Sequence, residues 1–536
     1  MTDMSDTTLP RRARRRPGAT VAATDPLARL RPAAAGAVGA LAGIGFSELV
    51  AGLLGAPSLL AAIGGLVIDN QPPGAKDVVV GLFGTNDKLA LETLIVVVAA
   101  IIGGGLGILA LRSFALAATG FGAFALAGFL ASLQMADATA TTAMIVAIVA
   151  AVAGVQVMSL LLRAGGAGRT STGAPIPVVM ANWSRRGFLV QAGGIAVAST
   201  VAGLVGRRLL EGGGTQAGAP TIPGAAVTAT LPAGAELAVE GVTPLVVPDD
   251  RFYRIDTALI VPTVDVASWQ LRVHGMVDHE VTLTYADLSQ MPLFEQYVTI
   301  ACVSNEVGGN LVGNAKWTGV HLREVLAMAG VQPGATQLVG RSVDGFTAGM
   351  PTAWVMDPAR EPMIALKMND APLPRNHGYP ARLIVPGLYG YVSATKWLAD
   401  LELTTLEAFD GFWVPRGWAK EAPILTQSRI DVPHSGQSVP AGRVAIAGVA
   451  WAPDRGVSRV EVAIDGTWHD AQLSTPISKT TWVQWLYAWD AAASGAGGHT
   501  ISVRATDGTG QVQTADQTPP APDGARGHHT IQVSVG

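Results

Sequence analysis

A single cysteine, Cys302, stands in a chain of 536 residues. That one thiol excludes an intramolecular disulfide framework and leaves too few thiolates for an iron–sulfur cluster. Covalent c-type haem attachment is excluded on the same ground. Imidazole is scarce as well: all nine histidines lie at or beyond His274. The hydrophobic N-terminal half therefore has no imidazole with which to hold a haem between helices. Charge is sparse, with 14% Asp, Glu, Lys and Arg against 49% hydrophobic residues, so lipid must solvate part of the chain. A net charge of −4 offers no concentrated basic surface for phosphate backbones, which argues against a nucleic-acid partner. The one basic run, Arg11 to Arg16, reads as a solvated tail at the cytoplasmic face of a membrane.

The hydrophobic excess lies in the first 206 residues. Uncharged stretches long enough to cross roughly 30 Å of hydrocarbon run from Thr93 to Leu111, Ser113 to Ala136, Ala138 to Leu162 and Gly187 to Gly206. An earlier stretch, Pro32 to Ile68, is interrupted by Glu48 and Pro57. It predicts one crossing near Ala33 to Leu54, then an interfacial or re-entrant piece. Glu48, near the outer end of that helix, is expected to reach the interface. The arginines fix the orientation: Arg11 to Arg31, Arg112, Arg163, Arg169, Arg185 and Arg186 fall in alternate loops, which places those loops in the cytoplasm. Five crossings then put the C-terminal half outside. The segment SRRGFL, Ser184 to Leu189, resembles a twin-arginine export signal. Such export carries folded proteins, as a domain that receives its cofactor in the cytoplasm would need.

These signals divide the chain into a basic tail (1–31), about five transmembrane helices (32–206), a flexible linker rich in Gly, Ala, Pro and Thr (207–247) and two extracytoplasmic domains. From 248 to 426, alternating runs such as WQLRVHGMV (269–277) mix with helical ones such as HLREVLAMAG (321–330), which predicts an α+β domain. From 427 to 536 short alternating strands separated by Gly, Pro and Asp turns predict an immunoglobulin-like β-sandwich.

Cys302 lies in VTIACVSNEVGGN, where an apolar strand-like run opens into a Gly- and Asn-rich loop, a usual place for a reactive group. On its own a lone cysteine there is more often a small buried hydrophobe. In order along the chain follow FYRID (252–256), WQLRVHGMV, TIACVSNE, WTGVHLREVL from Trp317, NDAPLPRNHGYPARLIVPGLYG (369–390) and SATKWL (393–398). Together these resemble the molybdopterin-binding domain of the sulfite-oxidase family, and more closely its bacterial exported, membrane-anchored branch. The resemblance implies a molybdenum–molybdopterin cofactor with Cys302 as thiolate ligand to the metal, soft sulfur suiting a redox-cycling ion. It implies that His377, Arg382 and Lys396 contact the pterin and its phosphate, and that Arg254 is the active-site arginine or a neighbouring pterin contact. Asn305, just after the cysteine, joins the expected cofactor contacts. Where sulfite oxidases place a tyrosine near the metal, DGFTAGMP puts Phe346. No arginine follows closely after Cys302, so sulfite is a poorer expectation than a neutral or organic, sulfoxide-type substrate. Substrate and direction of catalysis stay open. The C-terminal domain resembles the family's dimerisation domain and allows a homodimer. With neither haem nor iron–sulfur cluster expected, electrons must pass to or from a separate protein or quinone-linked partner. The competing reading is a catalytically inactive membrane-tethered scaffold of the same fold.

Overall fold

The computed structural model describes residues 30–72, 79, 82–83, 86–135, 138–163, 185–212 and 222–536. The basic run at Arg11 to Arg16 and Ser184 of the twin-arginine-like segment lie outside these. Six helices lead the described chain: α1 (Leu30–Leu54), α2 (Leu59–Asp69), α3 (Asp87–Leu109), α4 (Phe114–Ser132), α5 (Ala140–Arg163) and α6 (Arg185–Gly212). All but α2 are long and apolar enough to cross a membrane. α1 is the centre of the bundle and packs on α3, α5 and α6. Small residues make this approach possible, because apolar helices in lipid gain most from close backbone contact. A side chain on Gly36 would strike the Gly103 carbonyl, and one on Gly45 the Ser199 carbonyl.

Two expectations fail in this region. Glu48 does not reach an interface: it is buried inside the bundle, where Ser58 Oγ donates to its Oε1 at 2.6 Å. Ser58 also caps α2, accepting from the Ala61 amide at 3.0 Å, so the interrupting turn turns its polar groups inward. The linker expected from residue 207 is largely structured. α6 runs past the apolar stretch to Gly212 because Arg207 is satisfied there, by Glu92 at 2.9 Å and Glu211 at 2.6 Å. Residues 222–247 lie against the next domain, with Ile222, Ala235 and Leu245 in its core. The Ala226 amide donates to Leu293 O at 2.8 Å, and the Glu295 amide to Val227 O at 2.8 Å. Composition reads such a segment as a tether, yet its few apolar side chains and its backbone bonds to a strand hold it down.

The α+β region carries ten strands: β1 (Gln270–Gly275), β2 (Val281–Thr284), β3 (Leu293–Ala301), β4 (Val312–His321), β5 (Gln337–Ser342), β6 (Thr347–Pro351), β7 (Met363–Met368), β8 (Ala371–Pro372), β9 (Arg382–Ile384) and β10 (Leu398–Thr404). They form one sheet of order β2-β1-β10-β5-β6 and another of order β3-β4-β7-β8, with β9 on β7. In β1 the alternation places Leu271 and Val273 inside. The helix Leu322–Ala329 buries Leu322, Val325, Leu326 and Ala329, the spacing of one helical face, and stops at left-handed Gly330. From Gln427 onward, two antiparallel-rich sheets make a sandwich with its own core, including Trp485 and Trp489. Trp451 and Trp482 of that sandwich sit instead in the core of the α+β region, so the two share an apolar seam.

The helices are docked onto the α+β region by charge. Lys88, at the start of α3, pairs with Asp256 and donates to Ala258 O at 2.6 Å. Arg207 donates to Leu259 O at 2.6 Å, and Arg416 to Asp69 O at 3.1 Å.

Candidate active site

β3 runs buried to Ala301 and delivers Cys302 to the loop beyond. The turn is fixed by Asn305, whose amide donates to Cys302 O at 3.1 Å and whose Oδ1 accepts from the Leu311 amide at 2.8 Å. The Cys302 amide donates across the loop to Leu311 O at 2.9 Å. Asn305 thus shapes the loop rather than lining a ligand space.

Cys302 lines a cleft that opens to solvent. Arg382 from β9, Lys396, and Asp256 and Tyr253 from the extended FYRID segment line it too. Five aromatic residues line it as well: Phe346, Tyr391, Trp397, Trp413 and Trp418. Gly378 lets the Arg382 and Lys396 segments meet, because a Cβ there would lie 3.0 Å from Lys396 Cα and 3.3 Å from Arg382 Cβ. Trp397 holds φ 48, a left-handed value that costs a non-glycine residue energy. Its amide donates to Gly378 O at 3.2 Å and its Nε1 to Arg375 O at 2.7 Å, which pins the turn.

The cations are unevenly matched. Asp256 accepts from Lys396 at 2.7 Å and from Arg254 at 2.9 Å, besides Lys88. Burial would raise its carboxyl pKa, but Lys396, Lys88 and Arg254 outweigh burial and hold it well below the usual carboxylate range. Arg254 is spent on that carboxylate and does not line the cavity. Burial brings the Lys396 ammonium down to about 8 despite Asp256. Arg382 is 5% exposed, and among the described residues it has no carboxylate partner. It donates to His377 O at 3.2 Å and lies over the Trp317 ring at 5.2 Å, while its Nε bonds to nothing. Burial lowers its pKa to about 10. His377 stands behind Arg382, away from the cavity wall. Its Nε2 lies 2.8 Å from Asp249 O; a carbonyl only accepts, so Nε2 carries the proton and Nδ1 is a free acceptor. Burial holds the imidazole down at about 4, and Nδ1 has no partner among the described residues.

These unsatisfied groups describe what is missing. A buried guanidinium without an acid costs several kcal/mol, and an anion beside Arg382 and Lys396 would relieve that cost. Ser304 Oγ, Thr395 Oγ1 and His377 Nδ1 are further buried polar atoms without partners among the described residues. Of these only Ser304 lines the cavity, so it, Arg382 and Lys396 are the side chains an anionic ligand there would meet. No three His, Cys, Asp or Glu cluster to hold a bare ion among the described residues, so a metal at Cys302 would take its other ligands from such a group.

Residues 258–413 match the family described as oxidoreductase molybdopterin binding domain, and 427–503 match a bacterial Ig domain. An uncharacterized oxidoreductase, YuiH, of Bacillus subtilis strain 168 is 32% identical over 154 residues, 29% of this chain and 74% of that protein. The chain belongs to the sulfite-oxidase family of molybdopterin oxidoreductases. Mitochondrial sulfite oxidase of Homo sapiens is 32% identical over 295 residues, 47% of this chain and 54% of that protein. The chain thus spans about half the length of that relative. The sulfane dehydrogenase SoxCD from Paracoccus pantotrophus superposes with a TM-score of 0.46 at 23% identity, over 55% of this chain and 82% of that one. Membership makes the chain an oxidoreductase of the molybdenum-cofactor class, and the cavity beside Cys302, with its unpaired Arg382 guanidinium, is where its residues fit that cofactor.

Of the six residues expected from sequence, the fold brings Cys302, Arg382 and Lys396 to one cavity, with His377 directly behind. Arg254 and Asn305 stand outside it. Sequence reasoning missed Tyr253, Asp256, Asp344 and the Tyr391–Trp413–Trp418 wall, all of which line the cavity. A signal for the first two was present, since both belong to the FYRID motif. Burial and the nearby Cys302 push the Tyr253 phenol pKa far up, so it stays protonated. Phe346 does line the cavity, but the site is not without phenols.

Proposed function

We propose that the chain is a membrane-anchored molybdenum-cofactor oxidoreductase with its catalytic domain outside the cytoplasm, acting by two-electron redox or oxygen-atom transfer on a neutral, organic small molecule. The observation that carries the cofactor reading is Arg382, a buried guanidinium on the wall of the Cys302 cavity that pairs with no carboxylate among the described residues. In this reading Cys302 is the thiolate ligand to the metal. Arg382 and Lys396 hold the cofactor's phosphate, and His377, behind Arg382, steadies that guanidinium through its carbonyl. The bound cofactor supplies the electron or oxygen-atom transfer. The protein binds and orients: Asp256 holds Lys396 charged, and the aromatic wall excludes water around the substrate. With both cavity cations engaged by the cofactor, what remains among the described lining residues is aromatic, phenolic and hydroxyl groups with the acid Asp344 and no further cation, which suits a neutral substrate better than sulfite.

Five apolar helices and the arginine distribution support the anchor and its orientation. The twin-arginine-like segment supports export in the folded state, the Ig-like domain a homodimer, and the scarcity of haem and cluster ligands a separate electron partner, with neither haem nor iron–sulfur cluster held by this chain. An inactive scaffold is disfavoured, because without an anion it would keep an uncompensated charge in its core. Metal and pterin analysis of native protein tests the reading. Molybdenum is expected near one per chain, and Arg382→Met should lower occupancy about tenfold. Native protein without molybdenum, or full occupancy in Arg382→Met, would sink it.

A further inference from the structure

A second, larger cavity lies where the helix ends meet the α+β region. Its walls come from the α1–α2 turn and α2, from the ends of α4 and α6, and from the segments around Leu259 and Asp344. Thr257, Asp344 and Phe346 line both this cavity and the one containing Cys302. The two spaces are therefore neighbours across a shared wall. One side of the larger space is built from helices apolar enough to lie in lipid, and the other adjoins the reactive thiol.

Its chemistry is selective. Among the described residues no Lys, Arg or His lines it, and Asp69 and Asp344 are its only charged lining residues. Among the described lining residues an anionic ligand would meet Asp344, Asp69 in its pair with Arg416, and no lining cation, so anions are disfavoured. Leu66, Ile68, Leu209 and Phe412 offer apolar contact for a ring and a hydrocarbon tail, while Gln134 and Thr263 offer hydrogen bonds to uncharged oxygens. The chain meanwhile has a two-electron centre to reset, one cysteine, and no histidine among its helices.

We propose that this cavity binds the head of a membrane-soluble quinone, which enters from the lipid side and exchanges electrons with the site at Cys302. The inference rests on the oxidoreductase reading above and gives its electron partner a chemical class. A quinone and its quinol differ by two electrons and two protons, so one bound molecule matches one two-electron turnover. The electrons cross the wall shared by the two cavities. The protons exchange with water by way of Asp344, whose carboxyl burial pushes above its ordinary range, and which stands on both walls. Glu48 lies close behind: Ser58 of the lining donates to it, and its Oε2 has no partner among the described residues.

Gly65 makes the test clean. It lines the cavity, its α2 backbone is ordinary, and a Cβ there would meet nothing within 4 Å. Gly65→Phe should therefore fill the space without disturbing the fold, and Gly65→Ala should leave it open. Binding of a decyl-chain benzoquinone to the full chain in lipid nanodiscs, read by calorimetry, should weaken about tenfold in Gly65→Phe and stay within about threefold in Gly65→Ala. Leu210→Trp on the facing wall makes the same measurement should Gly65→Phe not be recovered folded. A naphthoquinone sulfonate should bind about tenfold more weakly than the neutral quinone. Unchanged binding in the filled variants would overturn the site, and equal binding of decylbenzene would reduce it to a lipid pocket. Molybdenum content is measured on the same samples. Molybdenum without quinone binding defeats this inference alone, whereas quinone binding without molybdenum defeats the oxidoreductase reading and leaves the site standing.

Discussion

Cys302 and His377 differ in what each contributes, and their substitutions should differ accordingly. Cys302 is 8% exposed on a cavity wall, so a hydroxyl in its place can be hydrated and should cost only about 1 kcal/mol of stability. As the proposed metal ligand its loss cannot be compensated by an oxygen of similar shape. Cys302→Ser is expected to keep the near-ultraviolet dichroism of the folded chain while turnover falls by more than about a hundredfold; retained turnover in metal-loaded protein would exclude ligation by this thiol. His377 acts through its proton. Its folded pKa of about 4 lies below the ordinary 6.5 because burial penalises the imidazolium. Between those values the unfolded chain binds more protons than the folded one, so stability rises with pH across the window and is lost as pH falls toward 4. Chemical unfolding of the cofactor-free chain should therefore show an acid-side loss of up to about 3 kcal/mol that is absent in His377→Gln. Parallel profiles for the two proteins would mean that the imidazole charges freely.

Among the elements, α1 governs the helical half. Its glycines allow backbone contact on three sides, and such contact is unforgiving. A Cβ on Gly36 would lie 2.0 Å from Gly103 O and 2.6 Å from Gly107 N, both backbone atoms that cannot rotate aside. Gly36→Leu should push α3 from α1 and cost about 1–3 kcal/mol or more, seen as a lower melting temperature in detergent. Gly105→Leu, whose Cβ would meet nothing within 4 Å, should melt like the parent. Equal melting of the two variants would mean that α1 and α3 do not pack as described.

The whole molecule is joined more tightly than its segments suggest. Lys88, Arg207 and Arg416 link the helices to the α+β region, and Trp451 and Trp482 link that region to the Ig-like sandwich. A cofactor-bearing domain fused this closely to its anchor must cross the membrane folded, if the proposed export is right. Changing Arg185 and Arg186 together to Lys should then leave the catalytic domain in the cytoplasm, as reported by protease protection in spheroplasts. Reporters fused after Gly536 should likewise be active only outside in the parent chain. Normal export of the double variant would remove the twin-arginine reading without touching the orientation, which rests on the loop arginines.

Local patterning by itself determined a good deal. The apolar runs located all five long helices to within about six residues, Glu48 and Pro57 marked the break between α1 and α2, and the change at Gln427 marked the first strand of the sandwich. Ordered motifs, through resemblance, supplied the family and picked out Cys302, Arg382 and Lys396. These are properties of neighbouring residues, because periodicity and motif spacing survive without knowledge of distant contacts. What only the tertiary structure decided was direction and company. FYRID is extended, and register against remote segments turned Tyr253 and Asp256 into the cavity while Arg254 was left outside. Residues 222–247 read as a tether until β3 offered its backbone, and Glu48 read as interfacial until Ser58 folded back onto it. No local pattern could place Lys88 on Asp256, 168 residues away in sequence, or open a cavity between helix ends and a catalytic wall. Such features depend on which surfaces meet, and that is fixed by the packing of the whole chain.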